Sequence, residues 1–178
     1  RDTYRNWGSE LRLISQYNAL GRQHTLSAGI KYFNGFTDRR QQGKGDIGSD
    51  FNLTLQDAAY PRALALRTTN VAAFAENLFR LSPRWSLTPG VRIEMLDNSI
   101  SGRYSFATNG VENQVSQSRS RTFALVGVGT EYKLASFATF YGNYSQAYRP
   151  VTFGDLTPAA LTDFVIDPNL RDARGYTL

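Results

Sequence analysis

Cysteine is absent from the chain, which removes a disulfide framework and any thiolate metal site and selects no compartment alone. Histidine occurs once. His24 has no ligand partners at the usual spacing, so it reads as an ordinary strand residue and a zinc site has no material. No apolar run reaches about eighteen residues, which excludes a transmembrane helix but not membrane strands, whose alternation hides their hydrophobicity. The net charge is +5, yet the cations are scattered, and Arg39-Arg40 follows Asp38 and precedes glutamines. Nucleic acid is therefore not expected as a partner. Gly43, Gly45 and Gly48 lack the strand-to-helix setting of a phosphate loop. Asp155, Asp163, Asp167 and Asp172 lack EF-hand spacing. No constellation of catalytic residues is visible, so neither an enzyme nor a cofactor is expected. There is no signal peptide and no initiating methionine. Arg1 opens onto strand-like sequence and Gly175–Leu178 reads as the start of a strand, so an excised segment is expected.

What is present favours strands joined by turns: 13% aromatic residues, with Tyr 10 and Phe 11, and Gly 15. Six candidate strands alternate in polarity. In 4–17, Trp7, Leu11, Leu13 and Tyr17 share one face, and Glu10, Arg12 and Gln16 the other. In 23–36, Leu26, Ala28, Ile30 and Tyr32 share a face opposite Thr25, Ser27, Gly29 and Lys31. The third, 70–81, alternates weakly, because Phe74, Glu76, Leu78 and Arg80 have one parity. The segment RALALR before it fits a strand extension or a helical turn. The fourth, 86–96, sets Leu87, Val91, Ile93 and Met95 against Thr88, Gly90, Arg92 and Glu94, with Pro89 expected near a strand start or bulge. The fifth, 121–134, groups Ala124, Val126, Val128 and Tyr132. The sixth, 137–148, has aromatics on both parities, which leaves its faces open.

Short turns fall at about 18–21, 82–85 and 134–136, and long irregular stretches at 37–68, 97–120 and 149–174. In an antiparallel meander all short turns then lie at one end and all long loops at the other, the asymmetry of a transmembrane β-barrel. Candidate strands of about a dozen residues exceed the usual 5 or 6 of soluble sheets and suffice to cross a bilayer. The expected fold is all-β, an antiparallel meander of about six strands plus the start of a seventh. Such a sheet cannot close as a membrane barrel by itself. A soluble all-β binding module, carbohydrate-binding or similar, is the alternative.

Several strings carry a resemblance. FYGNYSQAYRPVTFGDLTP, with Tyr144, Ser145, Tyr148, Arg149 and Pro150, resembles the late barrel region of TonB-dependent outer-membrane receptors. So do Asp167-Pro168-Asn169-Leu170 ahead of the last strand and the hairpin Leu81–Arg92, with a weaker likeness at Ala73–Asn77. The form AYRPVTFGDLTP with VIDPNLRDARGYTL is similar to the ferric-citrate-type branch. The resemblance implies that residues 1–178 are part of a 22-stranded barrel domain in the bacterial outer membrane, with no plug domain in this chain. It implies uptake of a ferric chelate, coupling to the TonB complex through the plug, and contact with membrane lipid and lipopolysaccharide. Haem, cobalamin, oligosaccharide or a catecholate chelate are the alternative cargoes.

An anionic chelate needs cationic and hydrogen-bonding groups at the external mouth, and arginine suits carboxylates. The candidate binding residues are Arg149, Tyr148, Gln146, Arg121, Arg119, Arg103, Arg62, Arg39 and Arg40, together with Lys44. Arg149 leads by position. Glu10, Arg12, Arg92, Glu94 and Glu131 are expected to pair with the plug or with each other.

Overall fold

The computed structural model describes residues 1–41, 60–107, 109–151 and 171–178. These form one open antiparallel sheet in chain order. Its strands are β1 (Asp2–Ala19), β2 (Arg22–Gln41), β3 (Arg62–Arg80), β4 (Trp85–Phe106), β5 (Glu112–Ala135), β6 (Ala138–Arg149) and β7 (Ala173–Thr177). Lys44, the glycines at 43, 45 and 48, Asp155, Asp163 and the Asp167–Leu170 string lie outside the described residues. RALALR belongs to β3.

The turns at one end are tight. Leu20 and Gly21 both have positive φ, 53° and 70°, which makes a two-residue connection matched to the strand twist. Pro89 stands inside β4, and the β3–β4 ladder there lacks pairs between Glu76↔Gly90 and Phe79↔Leu87. The strand tolerates a residue without an N–H because the pairing opens around it.

The stretch 97–120 differs from expectation. It is not a long loop. β4 continues to Phe106 and β5 begins at Glu112, with pairs such as Asp97↔Ser120 and Ser101↔Ser116. The Asn, Ser and Gln content reads as loop because isolated apolar residues such as Ile100 set up no alternating run. The ladder persists without the alternation that marks a half-buried strand. Near the tip, Gly102 at φ +128° precedes a register shift between Arg103 and Ser105. A Cβ at Gly102 would collide with the Ala63 carbonyl oxygen.

Register assigns the faces, because directly paired residues project to the same side. Leu11↔Ile30↔Ala73↔Ile93↔Ala124 and Leu13↔Ala28↔Ala75↔Val91↔Val126 form continuous apolar rows. In β3 the odd residues join this apolar face, and in β6 Phe140 and Tyr144 do, opposite Tyr132 and Val128. The other face carries Arg12↔Gly29↔Phe74↔Arg92. Phe74 fits there because a Cβ at Gly29 would lie 2.5 Å from its ring.

Exposure is inverted relative to a water-facing sheet. Leu11 is 68% exposed and Ile30 59%, both on the apolar face. The buried apolar strand residues, Leu64, Ala72, Leu96, Ile100 and Phe123, all lie on the polar face. A soluble sheet buries its apolar face and wets its polar one. An exposed apolar surface of this extent calls for an apolar covering.

Aromatics bound that surface at both ends. Trp7 packs on Tyr32 at 4.8 Å between ring centroids. At the turn end Tyr17 meets His24 at 5.3 Å and Trp85 pairs with Tyr132. A rise of about 3.3 Å per residue puts Trp7 and Tyr17 about 33 Å apart along β1. With a tilt of about 40° this is about 25 Å of height, the apolar band of a membrane barrel. His24 is a structural residue, 4% exposed. Its Nδ1 accepts from the Arg80 N–H at 3.1 Å, so Nε2 carries the proton and donates to the Ala19 carbonyl at 3.1 Å.

Candidate functional site at the loop end

At the end opposite the tight turns, four of the candidate arginines are held by carboxylates. Arg39 Nη2 lies 3.0 Å from Asp2 Oδ2 and Arg40 Nη2 lies 3.1 Å from Asp38 Oδ2. Arg103 pairs with Glu112, and its Nη2 donates to the Tyr60 carbonyl at 2.6 Å. Arg121 Nε lies 3.0 Å from Asp172 Oδ2, with the Arg121 side chain only 7% exposed.

Their faces differ as well. Arg40 pairs with Ala63 and Arg103 with Ala63 and Gln114, so both stand on the side that carries the apolar rows. Gln146 is on that side too, and its Oε1 accepts from the Val126 N–H at 3.2 Å. Arg39, Arg62, Arg119, Arg121 and Arg149 stand on the polar side. Arg119 is exposed, opposite Asn98. Arg149 closes β6, exposed, opposite Ala173.

Arg121 is the hub of this region. Its Nη2 donates to the Val151 carbonyl at 3.1 Å. The Val151 N–H donates to Asp172 Oδ1 at 2.8 Å, and the Tyr148 hydroxyl hydrogen-bonds the same carboxylate. With its amide oxygen turned toward Arg121, Asn98 accepts from Nη1 at 3.2 Å and donates to Thr68 Oγ1. One guanidinium thus ties β5 to β4, to Val151 two residues beyond β6 and to the residue before β7. Burial alone would raise the Asp172 carboxyl. The Tyr148 hydroxyl, the Val151 N–H and Arg121 outweigh it and hold the group below its usual value. Tyr148 completes the cluster by stacking on Phe123 at 3.7 Å.

Of these residues, sequence reasoning picked out Arg121 and Tyr148 but not Asp172, Asn98, Val151 or Phe123. Asp172 was visible only as one of several loop acids. Its place two residues before Arg174, in the string that leads into the last strand, was the available signal.

On the polar face, Glu10 pairs with Arg12, Arg92 with Glu94 at 2.5 Å, and Lys133 with Glu131 at 3.7 Å. These inner charges neutralise each other along their own strands. Beside them a trough of about 480 Å³ opens over Gly90, Gly127 and Gly129, bordered by Phe74, Arg92 and Asn143. Among the described residues no group of three or more His, Cys, Asp or Glu side chains converges on a point.

An open meander with an inverted exposure pattern, girdled by aromatics and tied at its loop end, is the geometry of a membrane-barrel segment. The family model described as TonB dependent receptor-like, beta-barrel, matches residues 1–178, and the chain belongs to that family. Its fold is similar to that of the ferric-catecholate import receptor Fiu from K12 E. coli in its closed form. The TM-score is 0.72 at 14% identity, covering 98% of this chain and 29% of the receptor. The open form of the same receptor gives a TM-score of 0.68 at 14% identity, covering 84% of this chain and 26% of the receptor. The chain therefore spans less than a third of the length of these receptors. No curated protein sequence matches it.

Proposed function

We propose that this chain is part of an outer-membrane receptor that takes up a ferric chelate by TonB-dependent active transport. The observation that carries the reading is the family match along residues 1–178. The exposed apolar rows between two aromatic belts support a place in the outer membrane, with lipid and lipopolysaccharide against that face and the loop end outside. The polar face is then the lumen. The trough over Gly90 and Gly127 gives a plug domain room to pack, and coupling to the TonB complex runs through that plug.

For the cargo, the cations that count are those on the lumen side of the mouth. Arg39 and Arg121 already hold carboxylates. Arg119 has no carboxylate within ion-pair distance among the described residues, and it stands beside the Arg121 cluster. Arg119 is therefore a proposed contact for an anionic chelate, and Arg149 is proposed on its position alone, at the exposed lumen-side end of β6; arginine suits bidentate recognition of such an anion. The strings AYRPVTFGDLTP and VIDPNLRDARGYTL favour ferric citrate. The likeness to a ferric-catecholate import receptor favours a ferric catecholate as the second reading.

Purification separates this reading from a soluble module: a folded monomer in plain buffer sinks the membrane assignment. In the full-length receptor, ferric citrate and a ferric catecholate are titrated separately. Arg119→Gln with Arg149→Gln is expected to weaken the bound chelate about tenfold or more, as loss of charged hydrogen bonds does. No measurable affinity for either chelate removes the cargo proposal.

A further inference from the structure

We infer that Arg5, Phe36 and Arg67 form a site for the phosphate of an anionic lipid headgroup in the leaflet that surrounds the loop end. The inference rests on the membrane reading above. Arg5 pairs with Phe36, and Phe36 with Arg67, so the three side chains share one side of β1, β2 and β3. That side is the apolar one. Phe36 lies in the middle and braces both cations: the Arg67 guanidinium carbon is 4.8 Å from its ring centroid and that of Arg5 is 5.9 Å. Cation–π contact of this kind fixes a guanidinium without neutralising it. Among the described residues no carboxylate lies within ion-pair distance of Arg5 or Arg67. Of the acids on the same side, Asp38 is engaged by Arg40, and Asp97 lies on β4 opposite Thr69, one outward-facing position from Arg67 toward the apolar band.

Depth points to the ligand. Trp7 and Tyr32, the interfacial pair, come next on this side toward the membrane. The guanidiniums stand just outside that belt, at the level where lipid phosphates lie. Trp7, Asn34, Phe36 and the two arginines line a groove of about 400 Å³. An apolar floor continuous with the acyl region and two forked cations above it match a phosphorylated lipid better than a soluble anion. The lumen cargo has no access to this outward-facing side.

The test uses the full-length receptor in phosphatidylcholine nanodiscs, with and without a phosphorylated disaccharide lipid. The phosphorylated lipid is expected to raise the thermal transition of the wild type. The dephosphorylated lipid or inorganic phosphate is expected not to. Arg5→Gln with Arg67→Gln should abolish the rise, and Arg5→Lys with Arg67→Lys should retain part of it. Native mass spectrometry of the wild type should show the phosphorylated lipid bound, with at least tenfold less on the glutamine variant. Equal retention on that variant, or an equal rise with the dephosphorylated lipid, overturns the site. A rise with inorganic phosphate alone assigns a soluble-anion site and also overturns it. Ferric-chelate binding, unchanged in every variant, separates failure of this site from failure of the receptor reading.

Discussion

Tyr148 stacks on Phe123 with 3.7 Å between ring centroids, although Phe123 belongs to the polar side and Tyr148 follows Gln146 on the other. The contact is possible because the β5–β6 ladder ends at Gly127↔Ser145, while β6 goes on to pair with β7 as far as Arg149↔Ala173. The two strands part, and the Tyr148 ring enters the gap. It is held there through its hydroxyl by Asp172, and so by Arg121.

Removing Arg121 should therefore release several elements together. Arg121→Ala leaves the Asp172 carboxylate and the Val151 carbonyl without their cation in a largely buried place. Breaking a buried pair from one side costs about 3 kcal/mol or more. Thermal unfolding of the full-length receptor in detergent should drop accordingly, and amide exchange should rise at Val151 and in β7. An unfolding midpoint equal to that of the wild type removes the hub role.

Acid should act on the same cluster. The Asp172 carboxyl is held below its usual value in the fold. Its contribution to stability is thus complete above the usual aspartate value of about 3.9. It is lost as the pH falls through the depressed value. The stability gap between wild type and Asp172→Asn should be constant at neutral pH and close only in strong acid. A gap that closes between pH 5 and 7 contradicts the assignment.

Leu20 is the one non-glycine described residue with positive φ, and its side chain is 95% exposed. A left-handed conformation costs an ordinary residue about 1–2 kcal/mol, and no packing offsets it here. Leu20→Asn or Leu20→Gly should stabilise the β1–β2 hairpin by about 1 kcal/mol, measured as a shift in urea midpoint with an unchanged slope. Destabilisation by either variant shows that the leucine contributes contacts of its own.

His24→Ala should be among the costlier changes at the turn end. It leaves the Arg80 N–H and the Ala19 carbonyl without partners and removes a ring packed between Tyr17 and Phe79. Each orphaned group costs about 1–3 kcal/mol. His24→Gln, which keeps a donor and an acceptor, should recover part of the loss. Equal stability of both variants points to the ring alone.

The strands most legible in sequence were those with one face in an apolar medium. Leu87, Val91, Ile93 and Met95 declare β4 because water and the apolar phase select opposite residue types on alternate positions. The same strand beyond Asp97 gave no such signal, since serine and asparagine fill most of it and its one buried apolar residue, Ile100, stands alone on its face. β3 was faint because Ala72, Phe74 and Leu78 occupy the polar face, where Gly29 makes space for a ring. The candidate arginines were legible as a set, but their commitments were not. Arg39 with Asp2 and Arg121 with Asp172 are pairings between distant parts of the chain, and only the meander register brings them together.

The β4–β5 hairpin above the aromatic belt is a paired ladder up to Phe106↔Glu112. Ordering a residue's backbone costs about 1–2 kcal/mol, and along this wall that cost is met when the protein folds. A molecule that meets this wall finds its backbone already ordered by strand pairing. Association there should be limited by diffusion and orientation, with no folding step of the hairpin in its rate.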